Sequence, residues 1–254
     1  DPMQLPGSDE AFAALLKERL DYRYPWQEET RLRVKISVSE LKKAGQTEEE
    51  DADTLLYPQE EIVPYIPKFM QETEPVSGAA RGTAYHRALE CLDLSRMYHS
   101  ERVKEGLEEL VRDGKMTREQ ADVVNPFDIY AFAQTDLARR MASAAKQMQL
   151  HTEQPFVIRI PAKDLGLGYE SGEPVLVQGI IDAYFTEPDG IVIVDYKTDY
   201  VEDKKELLEK YQKQLVYYGI ALERLTGQRV KEKVIYSFCL REEIPVNAHP
   251  GHPD

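Results

Sequence analysis

The sequence predicts an α/β fold, and three features of its hydrophobic pattern lead to this class. Apolar residues recur at helical spacing between residues 82 and 150. Short β-rich runs follow one another after residue 152. A long helical segment then separates the third run from a final one. Helices followed by strands, with a further helix among the strands, predict a central sheet packed against helices.

Composition and charge limit the kinds of protein that this chain encodes. Apolar residues make up 42% of the 254 positions and charged residues 31%, which indicates a folded globular chain. The formal net charge of −14 argues against a free-standing protein that holds DNA or anionic lipid by bulk charge. No apolar run approaches the roughly 20 residues of a membrane helix, and no signal segment is recognisable. We therefore expect a soluble, cytoplasmic piece of a longer protein, with no membrane partner.

Residues 1–75 are predicted to be a helical and linker segment that leads into a domain at residues 76–254. An amphipathic helix is predicted over residues 9–24, because apolar residues recur at helical spacing until Pro25 interrupts them. The acidic stretch at residues 46–53, and the prolines that follow it, indicate a surface connection.

Four helices and four strands are predicted within the second segment. Asn125 and Pro126 separate the second helix from the third. The first three helices cover residues 82–92, 103–111 and 129–148. The first three strands cover residues 154–160, 175–185 and 191–196. A long helix over residues 203–226 ends at Gly227, and a last strand covers residues 230–240.

The chain contains two cysteines, Cys91 and Cys239, each inside an apolar stretch. Their positions predict two reduced and buried side chains. Two cysteines cannot supply the four thiolates of an iron–sulfur cluster or a closed cysteine-rich zinc site.

Two of the predicted strands form a hairpin that places two carboxylates opposite each other. A turn sequence at residues 186–190 joins them, and centring the turn on Pro188 and Asp189 sets Asp182 opposite Asp195. Opposed like charges in apolar strands are destabilising, so they call for a cation. A register slip of one residue would turn Asp182 to the other face.

Lys197 lies two residues after Asp195 and therefore on the same face of the strand. Two carboxylates with an ammonium beside them suit a hard divalent ion such as Mg²⁺ or Mn²⁺ that holds waters and a phosphate. The lysine would orient or deprotonate a water, or stabilise developing charge. The alternative is an ordinary Asp–Lys ion pair at the end of a strand.

Four short motifs, in this order, resemble those of the RecB-like nucleases of the PD-(D/E)XK superfamily. The GxxxH motif, on a helix, is found at Gly82–His86, and the GxxD motif, on a strand, is found at Gly179–Asp182. The D…DxK motif consists of Asp182 with Asp195–Lys197, and the QxxxY motif, on a helix, consists of Gln214 and Tyr218. The resemblance implies a restriction-endonuclease-like core, in which a mixed central sheet is flanked by helices and preceded by N-terminal helical additions. A lone DxK is weak, whereas four motifs over about 140 residues are specific.

The resemblance also implies roles for individual residues. His86, Asp182, Asp195 and the carbonyl of Tyr196 would hold the metal, with Asp182, Asp195 and Lys197 catalytic. Gln214 and Tyr218 would line the site near the lysine and DNA. Taken alone, His86 would be read as a structural histidine and Tyr218 as a core aromatic. Glu153 resembles a recurrent acid at the start of the first strand and receives no chemical role.

Within this superfamily, three further segments resemble the AddA-type nuclease domains of AddAB helicase–nucleases: Tyr24-Pro25, Lys35–Lys42 and Tyr211–Leu215. This resemblance implies a metal-dependent DNA exonuclease domain that cuts single strands, the 3′-terminated strand in particular, in double-strand break repair and recombination. It also implies a helicase upstream of Asp1 and an AddB-type partner subunit. Iron–sulfur relatives carry four cysteines, which this sequence lacks, so no cluster is expected. A stand-alone RecB-like exonuclease and a catalytically idle interaction module remain as alternatives.

Overall fold

The structure, a computed structural model, describes residues 29–44, 78–97 and 99–246, together with Lys17, Arg19, Leu20, Asp21, Tyr24 and Trp26. The acidic stretch at residues 46–53, and most of the helix predicted over residues 9–24, lie outside the described residues. No helix within the described part of the chain is long and apolar enough to cross a membrane.

Seven α-helices are described. They are α1 (Val38–Ala44), α2 (Gly78–Cys91), α3 (Ser100–Arg112), α4 (Arg118–Val123), α5 (Pro126–Ala133), α6 (Asp136–Lys146) and α7 (Lys204–Thr226). Single turns of 3₁₀ helix lie at Glu29–Arg31, Leu94–Arg96 and Ala162–Leu165. Helix α7 begins with a capping box between Asp203 and Glu206. It ends at the C-cap residue Gly227, which has the left-handed conformation (φ 70°) that is common at helix C-termini.

The helix predicted over residues 129–148 is in fact two helices, and that prediction was wrong in its bounds. Asn125 caps α5, and Pro126 occupies its first position. Thr135 then caps α6, because its hydroxyl accepts a hydrogen bond from the backbone N–H of Ala138. The apolar spacing continues across this break, so periodicity alone did not reveal it. Helix α4 was not predicted, since its six residues contain few apolar positions.

Six strands form one mixed sheet. They are β1 (Lys35–Ser37), β2 (Leu150–Pro161), β3 (Pro174–Glu187), β4 (Gly190–Lys197), β5 (Val230–Ser237) and β6 (Glu242–Pro245). The sheet order is β1-β3-β4-β5-β6, and β2 also pairs with β3. The last predicted strand is thus two strands, because the chain reverses between Ser237 and Glu242, where Arg241 has a φ of 54°.

One edge of β3 is paired along most of its length, whereas the other edge is paired by two strands with a gap between them. The candidate site lies at this gap. Strand β2 pairs with β3 from Pro174 to Phe185 along one edge. The other edge is divided: β1 runs parallel to residues 176–178, whereas β4 runs antiparallel to residues 183–187. Residues 179–182 of β3 therefore lie between two partner strands, and no neighbouring strand among the described residues bonds to them on this side.

The two faces of the sheet pack against different layers. On one face, Phe185, Val194 and Tyr196 join a core formed with helices α2 to α6. On the other face, Val177 and Ile193 join a core formed with α7 and α1. The predicted α/β fold, with a mixed sheet flanked by helices, is confirmed. Both cysteines are free, but they are only half-buried, so their predicted full burial was wrong.

Two buried tyrosines in the helical core provide a matched test of hydrogen bonding. The hydroxyl of Tyr85 donates to Asp128 at 2.7 Å, whereas no partner for the hydroxyl of Tyr236 lies within the described residues. Tyr85→Phe is expected to lower the free energy of unfolding by about 1.5–3 kcal/mol, because it removes a bond to a charged group. Tyr236→Phe removes an unsatisfied hydroxyl and is expected to raise stability by about 1 kcal/mol. Urea unfolding followed by circular dichroism measures both changes, and equal losses would contradict this difference.

Candidate active site

The site begins where the β3–β4 hairpin opens. The hairpin register is as predicted from Glu187 opposite Gly190 to Ala183 opposite Val194, and its continuation would set Asp182 opposite Asp195. Backbone pairing stops at Ala183. Instead, Oδ2 of Asp182 accepts a hydrogen bond from the backbone N–H of Tyr196 at 2.9 Å. The side chain thus takes the acceptor role of a sheet carbonyl, which fixes the Asp182 carboxylate at the strand end.

Glu153 joins this group from the other side of β3, and its role was missed in the sequence. Its neighbours Thr152 and Gln154 pair with Ala183 and Ile181, which places Glu153 opposite Asp182. Glu153 itself has a φ of 47° and makes no ladder pair. A left-handed conformation is strained for a residue with a side chain, and strained residues of this kind cluster at functional sites. Its resemblance to a recurrent acid at the start of the first strand was the signal in the sequence, but that signal indicated no chemical role.

Helix α2 brings His86 to these two carboxylates. Its Nδ1 lies 3.6 Å from Oδ1 of Asp182 and 3.8 Å from Oε1 of Glu153. Its Nε2 lies 3.0 Å from the carbonyl oxygen of Tyr196. One ligand atom from each of His86, Glu153 and Asp182 lies within 4.8 Å of the others.

The second half of the site faces α7. Nζ of Lys197 lies 2.6 Å from Oδ2 of Asp195, and both side chains are buried. The amide of Gln214 donates to Oδ1 of Asp195 at 3.1 Å and to the hydroxyl of Tyr218 at 2.7 Å. The structure therefore brings together all seven residues that were predicted for the site.

Burial and charge perturb the ionisation of this group. Burial and the neighbouring Asp195 raise the pKa of Asp182 to about 7. Burial would lower the pKa of Lys197, but the charges of Asp195 and Asp182 outweigh it and raise that pKa overall. Burial likewise opposes protonation of His86, whereas Glu153 and Asp182 raise its pKa. The ionisation of Asp182 therefore depends on the charges of Asp195, His86 and Lys197 around it.

Comparison with known proteins identifies the family. A model of the PD-(D/E)XK nuclease superfamily matches residues 60–251. The chain belongs to this superfamily. The A subunit of the ATP-dependent helicase/nuclease of Clostridium botulinum (strain Hall) is 35% identical over 234 residues, which cover 91% of this chain and 18% of that protein. The protein of the same name from Clostridioides difficile (strain 630) is 36% identical over 254 residues, which cover 94% of this chain and 20% of that protein.

The chain thus spans about a fifth of the length of these relatives. It is a PD-(D/E)XK nuclease domain homologous to a stretch of the AddA-type helicase/nuclease. The sequence motifs had indicated both the superfamily and the AddA-type relatives, and the comparisons confirm this resemblance.

PD-(D/E)XK nucleases use divalent metals, and the side chains present here fit such an ion. Carboxylate oxygens and an imidazole nitrogen converge from three elements, and a backbone carbonyl lies beside them. Oδ2 of Asp195, apart from its ion pair with Lys197, has no hydrogen-bond donor among the described residues. Hard divalent cations favour such oxygen-rich groups, and imidazole suits the borderline metals.

Gly179, the glycine of the GxxD motif, is required by the packing beneath the site. A Cβ at this position would lie 2.8 and 2.9 Å from two ring carbons of Phe156 and 3.3 Å from Val38. Phe156 is buried and packs edge-on against Tyr218. Gly179→Ala is therefore expected to lower the free energy of unfolding by about 1–3 kcal/mol, as measured by urea unfolding.

Gly82, the glycine of the GxxxH motif, provides the matched control. Among the described residues, a Cβ at Gly82 would meet the hydroxyl of Thr198 alone, at 3.5 Å, which is an ordinary contact. Gly82→Ala lies within α2, where alanine favours the helix by up to about 1 kcal/mol. We expect unchanged or higher stability, and a loss as large as that of Gly179→Ala would contradict the packing explanation.

Proposed function

We propose that this domain hydrolyses phosphodiester bonds of single-stranded DNA in a reaction that depends on Mg²⁺ or Mn²⁺. The observation that carries the proposal is the convergence of Asp182, Asp195 and Lys197, together with His86, at the opening beside β3. Burial on this scale is rare for charged groups unless they are paired or bind an ion. The proposed domain covers residues 76–254, and residues 1–75 lead into it.

In this proposal, His86, Asp182, Asp195 and the Tyr196 carbonyl would hold the ion, and Glu153 would contribute a further carboxylate. When bound, a divalent ion polarises the phosphate and makes water a better nucleophile. Lys197 stabilises the negative charge that develops on the phosphate, because its ammonium is fixed beside Asp195.

Gln214 and Tyr218 act on Asp195 rather than on the phosphate. The Gln214 amide donates to the carboxylate that pairs with Lys197, and the Tyr218 hydroxyl accepts from the same amide. This chain of hydrogen bonds fixes the orientation of Asp195, as outer partners commonly do for metal-binding carboxylates.

We further propose that the domain works within an AddA-type helicase–nuclease, in the cytoplasm, during double-strand break repair and recombination. The clostridial helicase/nuclease relatives extend well beyond the matched stretch. A motor that feeds single strands into the site would remove the need for the chain, at a net charge of −14, to capture DNA by itself. An AddB-type partner with its own nuclease would cut the other strand.

Cleavage of end-labelled single strands tests this proposal. With Mg²⁺ or Mn²⁺, a 5′-labelled strand should shorten progressively, because digestion proceeds from the 3′ terminus, and EDTA should stop it. Equal digestion of a strand whose 3′ end is blocked would contradict the polarity. Metal-independent cleavage, or none, would contradict the assignment as a metal-dependent nuclease and favour the idle interaction module. A helicase in the sequence upstream of Asp1 would favour the AddA-type enzyme, and its absence would favour a stand-alone exonuclease.

A further inference from the structure

Three lysines surround one aromatic ring beside the site. The ammonium nitrogens of Lys42, Lys197 and Lys210 lie 4.3, 4.4 and 5.1 Å from the centre of the Tyr211 ring. All three approach the same ring, and the charges of Lys197 and Lys210 act on Lys42. Such proximity of like charges is unfavourable unless anions lie among them.

Two of these ammoniums have their own carboxylates. Lys197 pairs with Asp195, and Lys210 pairs with Asp199. Lys42 differs, since no carboxylate in the described part of the chain lies within ion-pairing distance of it. Burial, followed by the charges of Lys197 and Lys210, lowers the pKa of Lys42. An anion next to Lys42 would relieve this unfavourable environment.

The position of Lys42 is set by the fold and does not depend on a flexible loop. Ser37 and Glu40 form a reciprocal pair of hydrogen bonds at the start of α1, which caps the helix. Val38 and Leu41 are buried beneath it. Strand β1, which leads into α1, pairs with residues 176–178 of β3, and Asp182 lies four residues further along β3. The strand that carries the metal-site carboxylate therefore also positions Lys42.

The Tyr211 ring is equally well fixed. Tyr211 is buried on α7, and its hydroxyl donates to the Asp199 carboxylate, with oxygen distances of 2.9 and 3.0 Å. A cation over such a ring gains electrostatic attraction while its nitrogen keeps free donor hydrogens. The ring thus holds the Lys42 ammonium at the site without occupying its donors.

We propose that Lys42 binds a phosphate of the DNA backbone next to the bond that is cut. This inference rests on the proposed nuclease function and adds a binding residue that lies outside the four sequence motifs. A lysine ammonium is a compact point charge suited to a phosphate oxygen. Its contact with the backbone would position the strand without reading its sequence.

The salt dependence of DNA binding tests the proposal. Binding of a fluorescein-labelled oligothymidylate is followed by anisotropy over a series of NaCl concentrations with Mg²⁺ present, using the 254-residue chain with Asp195→Asn to prevent cleavage. Lys42→Gln, which removes the charge and keeps a polar side chain with the first two methylene groups, should weaken binding several-fold. It should also reduce the slope of log K against log salt by about 0.7, the value for one lost phosphate contact on a single strand. Lys42→Arg should restore the slope.

Lys43→Gln is the matched control, because Lys43 is the next residue of α1 and is exposed. We expect its slope to match that of the Asp195→Asn chain in which Lys42 and Lys43 are both intact. An unchanged slope in Lys42→Gln would overturn the inference, as would an equal loss in Lys43→Gln, which would assign the effect to the general charge of the helix. Thermal unfolding of each variant separates loss of contact from loss of fold. If the chain with its native Asp195 cleaves DNA while Lys42→Gln binds normally, the proposed function stands and only this inference fails.

Discussion

Asp195→Asn is expected to reduce metal-dependent DNA cleavage by roughly 10³-fold, the scale at which loss of a preorganised electrostatic group acts. The substitution removes a proposed metal ligand and the partner of Lys197 at nearly constant volume. It also relieves the repulsion between Asp195 and Asp182. This repulsion is the second-largest cause, after burial, of the raised pKa of Asp182. We therefore expect the fold to survive, and single-turnover cleavage of labelled single strands measures the loss.

Asp189→Asn provides the matched control for this experiment. Asp189 lies at the turn of the same hairpin, and its side chain is 72% exposed. Its pairing with Lys231 is a surface contact, so the change should leave cleavage within about twofold. Cleavage by Asp195→Asn at a rate near that of the unsubstituted chain would remove Asp195 from the catalytic group. Lys197→Ala is a less direct variant, because it opens a cavity and leaves the buried Asp195 without any partner from residue 197, whereas Asp195→Asn keeps an acceptor oxygen for Lys197 at nearly the same volume.

Asp128→Ala is expected to have the largest effect on stability, lowering the free energy of unfolding by roughly 3 kcal/mol. Asp128 is 4% exposed and accepts hydrogen bonds from Tyr85 at 2.7 Å and from Arg241 at 3.0 Å. It thereby joins α5 to α2 and to the turn before β6. Its loss leaves the Tyr85 hydroxyl without this acceptor and opens a cavity. Urea unfolding measures the change.

Asp122→Ala is the control for Asp128→Ala. Asp122 is exposed on α4, the helix that precedes α5. Exposed substitutions of this kind are expected to change stability by no more than about 0.5 kcal/mol. Equal losses in the two variants would show that the buried network around Asp128 does not stabilise the fold.

The hairpin was predictable because its determinants are local. A turn at Pro188 and Asp189 between two apolar runs defines the register, and the observed pairs follow that register as far as Ala183 and Val194, the residues next to Asp182 and Asp195. Lys197 follows from the two-residue period of a strand. The GxxD glycine was recognisable as a motif, but its cause, the ring of Phe156, comes from another strand.

The remaining parts of the site depend on contacts between distant segments. Strand β1 has three residues, too few for a hydrophobic period, and its pairing with β3 joins positions about 140 residues apart. The left-handed backbone of Glu153 has no signature in the side chain itself. Lys42 reaches the site only because α1 packs against α7, which no local pattern encodes.

Titration with Mn²⁺ by calorimetry is the most direct test of the central claim that these side chains form a divalent-metal site. The unsubstituted chain is predicted to bind Mn²⁺, and Asp182→Asn is predicted to weaken binding at least about tenfold, since it removes a carboxylate ligand. The Asp189→Asn control should bind as the unsubstituted chain does. If Mn²⁺ does not bind, or binds equally well to the Asp182→Asn chain, the proposed metal site is wrong.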